Sequence, residues 1–177
     1  MSPIPDLRAT IIDAWQTNAL VTARFVEQLP ADLWNVPFPG IPRRTVRTVV
    51  AHLHNARSRW IRTLGTDHGL TAPVLVDSHR VTKRAVLAAL GRSGRGIEDL
   101  LALGIAEGGS IPPSKRYTWR NLPLDVGHVL TYFVAHEAHH RGQVVMAARQ
   151  LGQRLPPDVV NGLWQWTARS RELRETR

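Results

Sequence analysis

The sequence predicts an all-α fold: a four-helix bundle with long crossover connections and a short C-terminal helix. Apolar residues recur at intervals of three and four along most of the chain, the period of a helix face. No stretch shows the period of two that a half-buried strand requires. Proline and glycine gather between the periodic segments, where they punctuate the chain as turns.

The first helix is expected over about residues 6–29, carrying Leu7, Ile11, Trp15, Leu20, Phe25 and Val26 on its apolar side. Pro30 follows, and NVPFPGIP, with Pro37, Pro39, Gly40 and Pro42, is incompatible with a helix interior, so it reads as a connecting loop. A second helix is expected over about residues 43–64, with Thr45 as cap and Gly65 as stop. A turn-rich crossover leads to a third helix over about residues 78–103, where Gly91, Gly94 and Gly96 invite a kink or break. After GIAEGGSIPPSKRYTW, read as a loop, the fourth helix spans about residues 124–151 and ends at Gly152. A short helix after Pro157 would use Val159, Val160, Leu163, Trp164 and Trp166. The 177 residues read as a single domain, with no internal repeat.

Composition narrows the chemistry. Cysteine is absent, so no disulfide forms and no protein thiolate can bind metal or act as nucleophile. Any metal must sit on His, Asp or Glu, and any thiol must come from outside. No apolar run approaches the ~20 residues of a membrane helix, and the N-terminus does not have the pattern of a secretory signal, so a soluble cytoplasmic protein is expected. The net charge is +9, with 23 Lys and Arg against 14 Asp and Glu. Because the arginines are scattered, the expected role of this charge is a solvated basic surface rather than nucleic-acid binding.

The histidines carry the sharpest signal. Of eight, His128, His136, His139 and His140 fall on the fourth helix. His136 and His140 are four apart and so share one helix face, in line with Val129, Val144, Ala147 and Leu151, and are expected to point into the bundle core. Their imidazoles can converge on one divalent ion at about 2.0–2.1 Å from each nitrogen. The same pair can also be core histidines satisfied by other polar groups. A third ligand from another helix separates the two readings. On the second helix His52 lies on the apolar stripe between Val49 and Ala56. His54 is turned about 200° away and is expected to be exposed.

Other residues receive weaker assignments. His139 can flank the site, bond a substrate or face a neighbouring helix. Gln143, one turn beyond His140, can bond a ligand or serve as an ordinary surface amide. His128 reads as a helix-entry or pocket residue, and His68 and His79 as solvated loop residues. Gly142, costly inside a helix by about 1 kcal/mol, implies either a close-packed backbone or space needed by a pocket. Glu137 is expected to point away from the metal, and Asp125 and Glu27 are weak candidates for pocket acids, so no general base is identified.

The segment HEAHHRGQ, residues 136–143, together with His52 followed eight residues later by Trp60, resembles the DinB/YfiT-like superfamily. The resemblance extends over most of the chain. It implies an up-down-down-up four-helix bundle, often dimeric, with one metal on His52, His136 and His140. It also implies thiol-dependent transferase or isomerase chemistry with a low-molecular-weight thiol, or metal-dependent hydrolysis. Three ligands leave one coordination position open, the pattern of catalytic zinc. The expectation is a zinc- or nickel-dependent thiol transferase or hydrolase acting on a small molecule as a homodimer. The competing expectation is a non-enzymatic, metal-stapled dimeric binding or stress-response module. Three imidazoles do not fix the metal.

Overall fold

The computed structural model describes residues 6–118 and 120–175. The chain is predominantly helical. Helix α1 (Leu7–Gln28) starts at Asp6, whose carboxylate accepts from the Arg8 amide. It buries Trp15, Val21, Phe25 and Val26 on one side. A 3₁₀ turn, Asp32–Asn35, then inserts Leu33 and Trp34 into the core.

The segment expected as a plain loop instead forms an antiparallel hairpin of β1 (Pro37–Phe38) and β2 (Ile41–Thr45). Phe38 faces Ile41 across Pro39 and Gly40. Proline fixes the first central φ, and Gly40 takes the left-handed second one at +72°. The strands are too short and proline-rich to show the period of two, which is why the sequence concealed them.

Strand β2 runs straight into α2 (Val46–Gly65). Thr45 and Thr48 cap each other's backbone amides, fixing the start of α2. Residues 69–82 then cross the far face of α2. This corrects the expected exposure of His54, which is fully buried. The crossover backbone needs partners: His54 Nε2 lies 2.9 Å from the Val74 carbonyl, and Asn55 bonds both backbone groups of Val76 at 2.9 and 3.0 Å. Burial pushes the His54 pKa down, favouring its neutral form.

Helix α3 (Lys83–Ala106) begins five residues later than expected, because Asp77 and Thr82 hold the preceding residues in turns and caps. Its glycines cause no break. The Gly94 carbonyl accepts from Trp15 Nε1 at 2.8 Å. A Cβ on Gly96 would stand 2.6 Å from Ile61 Cδ1. These glycines let α3 approach α1 and α2 closely.

Helix α4 (Val126–Gln150) is capped by Asp125 and followed by Gly152 at φ +73°. Two short helices follow where one was expected: α5 (Pro157–Gly162) and α6 (Trp166–Glu175). Val159 is buried, whereas Trp164 is 81% exposed rather than part of the core. Arg24 on α1 pairs with Glu172 on α6. Among the described residues, no helix is long and apolar enough to cross a membrane.

The four long helices pack on one another, α1 and α2 each against both α3 and α4. Two apolar clusters form, one around Phe25, Val49, Leu53 and Val144, the other around Trp15, Ile61, Ile97 and Phe133. A buried polar layer lies between them along each helix: Asn18 and Thr22 on α1, Arg57 on α2, Glu137 and Arg141 on α4. Glu137 Oε1 accepts from Arg57 at 2.6 Å, and its Oε2 accepts from Asn18 at 2.9 Å and Thr22 at 2.7 Å. Arg141 donates to Thr22 and Asn18 and lies 3.7 Å from Glu137.

Gly142 corrects both readings made for it. Its surface is exposed, and an added Cβ meets nothing within 4 Å. Gly142→Ala is therefore expected to raise the folding stability by up to about 1 kcal/mol in urea titration, by reducing the freedom of the unfolded chain.

Candidate metal centre

Helix α2 contributes His52, and α4 contributes His136 and His140. The three Nε2 atoms converge: His136 Nε2 lies 3.2 Å from those of both His52 and His140. A candidate ligand atom from each residue lies within 4.8 Å of the others, so this group can hold a metal ion. Nitrogens bound at ~2.0–2.1 Å in a tetrahedron stand about 3.3 Å apart, so the observed spacing fits a metal. The donor set, three imidazoles and no thiolate, suits borderline divalent ions.

The centre lies at the edge of the helix packing. The innermost side of α4 presents Phe133, Glu137, Arg141 and Val144. His136 and His140 are one step round, on the side facing α2. His140 is 6% exposed, while His136 and His52 keep part of their surface open. This corrects the expectation that the pair points into the bundle core. Apolar periodicity located the stripe, but Glu137 and Arg141, balanced by Arg57, Asn18 and Thr22, occupy the deepest positions instead.

A second set of contacts orients the ligands. The Gln143 carbonyl oxygen lies 2.9 Å from His140 Nδ1 and accepts from Arg44 at 2.5 Å. A proton on Nδ1 satisfies the Gln143 oxygen and leaves the Nε2 lone pair facing the other histidines. The Gln143 amide nitrogen in turn reaches His139 Nε2 at 2.8 Å. Gln143→Ala is expected to weaken metal binding about 10- to 100-fold, measured by competition with a chromophoric chelator.

Tyr132 stacks on His136, with ring centroids 6.0 Å apart and planes at 14°. Trp60 Nε1 donates to the Tyr132 hydroxyl at 3.3 Å. His139 is exposed and touches the centre through Gln143 and its ring contact with His140. His128 is exposed and bonded to Asp125 at the start of α4, so it does not join the triad. Asp125 is spent on capping, and Glu27 pairs with Arg24. Glu137 does turn away from the triad, into the buried polar layer. Arg43, Arg44 and Arg59 are the residues that sequence reasoning missed. Their basic side chains look like ordinary surface charge until the hairpin places Arg43 and Arg44 beside α4.

Two clefts flank the triad. One, of about 370 Å³, is lined by Arg43, Arg44, Thr48, Val49, His52 and His140. The other, of about 270 Å³, is lined by residues including His52, Arg59, Trp60, Tyr132 and His136. His52 borders both.

Burial pushes the pKa values of all three histidines down, His136 to about 4, and neighbouring positive charges add to this. For His136 the next cause is His140, and for His52 it is Arg44 followed by Arg59. The imidazoles are therefore neutral at pH 7, the form that binds metal. In the metal-free protein the unfolded state binds more protons than the folded state between the unfolded value of 6.5 and about 4. Stability is thus expected to fall as pH drops through that window and to be insensitive to His136 above it. Urea titrations at a series of pH values check this, with His136→Ala flattening the slope.

The profile of the DinB family matches residues 5–173, nearly the whole chain. None of the curated proteins compared with the chain matches it. The family match covers both helices that build the triad and the hairpin that flanks it, and the chain belongs to the DinB family.

Proposed function

We propose that this chain is a metal-dependent enzyme that activates a small thiol or water for attack on an electrophilic small molecule. The observation that carries the reading is the meeting of three Nε2 atoms from two helices at metal-ligand spacing. A divalent ion held there, zinc or nickel foremost, supplies positive charge that favours ionisation of a thiol or water in its open position. The clefts on both sides favour this reading over a structural staple, because structural sites are closed by four protein ligands.

The chain's own residues orient and wall the site. Arg44 holds the Gln143 amide, and Gln143 holds the His140 ring. Tyr132 and Trp60 form an aromatic wall beside His136. With no cysteine in the chain, a low-molecular-weight thiol cosubstrate must come from solution.

The same reading takes residues 1–177 as one domain and α1–α4 as an up-down-down-up bundle, supported by the packing of α1 and α2 on α3 and α4. It places the protein in the cytoplasm, and as a homodimer, the state that the family resemblance implies. Nucleic acid is not a proposed partner, since a helical array without a recognition element offers nothing to read a groove.

The test is turnover of an activated aryl halide with a small thiol, and of an activated ester without one. Chelator-stripped protein should lose either activity and regain it with one equivalent of zinc or nickel. Undiminished turnover by the stripped protein refutes the proposal.

A further inference from the structure

The two clefts differ in chemistry, and that difference points to a substrate class. The cleft at the start of α2 is cationic: Arg43 and Arg44 line it beside Thr48 and Val49. The cleft on the other side of His52 is more apolar, walled by Trp60, Tyr132 and Ala56, with the exposed Arg59 as its single cationic lining residue. Among the described residues no carboxylate lines either cleft, and neither Arg43 nor Arg44 forms an ion pair. The side-chain acceptor for Arg44 is the Gln143 amide oxygen, with the His140 ring 3.5 Å away, so no carboxylate neutralises it. This contrasts with Arg24, Arg57, Arg116 and Arg169, each placed against Asp or Glu. Arg44 is also half-buried, so its charge is less screened by solvent than an exposed one.

We infer that the groove between α2 and α4 accepts a small organic anion with an apolar body. Its carboxylate or phosphate head is held by Arg43 and Arg44. Its body lies along Trp60 and Tyr132, across the triad. This names the substrate class of the site proposed above and rests on that reading for its place in a reaction. Planar guanidinium forks match the oxygens of either head group, and a flat apolar body gains by stacking on the aromatic wall. His52 lines both clefts, with His140 on one side and His136 on the other, so a molecule reaching into both would pass the imidazoles.

The test is calorimetric titration of the full chain with phenyl phosphate, benzoate, inorganic phosphate and benzyl alcohol, beside a zinc titration of the same samples. One or both aromatic anions should bind, and the neutral alcohol should not. Which anion binds identifies the head group. Arg43→Gln and Arg44→Gln should each weaken the anion at least about tenfold, while Arg62→Gln, on the exposed surface of α2, should not. Trp60→Leu should weaken phenyl phosphate more than inorganic phosphate. Unchanged affinity in both cleft variants, or no binding of either anion by the unaltered chain, overturns the inference. Zinc uptake without anion binding defeats this inference alone. Arginine-dependent anion binding without zinc uptake defeats the metal reading and leaves this one standing.

Discussion

Glu137→Ala is expected to destabilise the fold by roughly 3–5 kcal/mol, the usual cost of removing one partner from a buried ion pair. Glu137 is fully buried, and it accepts from Arg57, Asn18 and Thr22 at once. Its removal leaves the guanidiniums of Arg57 and Arg141, 2% and 5% exposed, without a carboxylate. In a chain of this length that loss should lower the melting temperature by roughly 10 °C or more. The partner experiment is Arg57→Met. If the two groups act as a pair, the double variant Arg57→Met/Glu137→Ala should cost clearly less than the sum of the single changes. Additive losses would mean that Glu137 and Arg57 are satisfied independently. The layer also bears on the metal centre, because it fixes the rotation of α4 that turns His136 and His140 toward α2.

His136→Ala should abolish the metal centre while leaving the fold intact. Its Nε2 is the one within 3.2 Å of both other ligands. Removing it leaves two imidazoles, too few to hold a divalent ion against competing water and buffer. The expected loss of zinc affinity exceeds about 100-fold, more than the loss of an orienting contact. His136 is half-buried, so the truncation opens space toward the cleft rather than a closed core cavity, and thermal unfolding should shift little in the metal-free state. His128→Ala serves as the control: it lies on the same helix, bonded to Asp125, and should bind zinc like the unaltered chain.

Helical content and the triad were legible in the sequence for one physical reason. Both depend on spacing along a helix, which sequence displays directly. Capping at Thr45 is local too. What sequence could not display was the neighbour of each face. The sequence predicts an exposed His54 because it lies opposite the apolar stripe, yet the crossover carrying Val74 and Val76 covers it. Glu137 and Arg141 look like ordinary helix-surface charges until Arg57 arrives from α2, more than seventy positions earlier. Arg44 depends on a hairpin of proline-rich strands too short to show any period. Gln143 fits a surface amide and a site residue equally well by its spacing, and only its contacts to His140 and Arg44 decide between them.

X-ray absorption at the zinc edge, on the zinc-loaded protein, reads whether His52, His136 and His140 bind one ion together. Three imidazole nitrogens at about 2.0–2.1 Å and one further light-atom ligand, at one zinc per chain, is the predicted result. A spectrum with fewer imidazoles, or one left unchanged by His52→Ala, would contradict it.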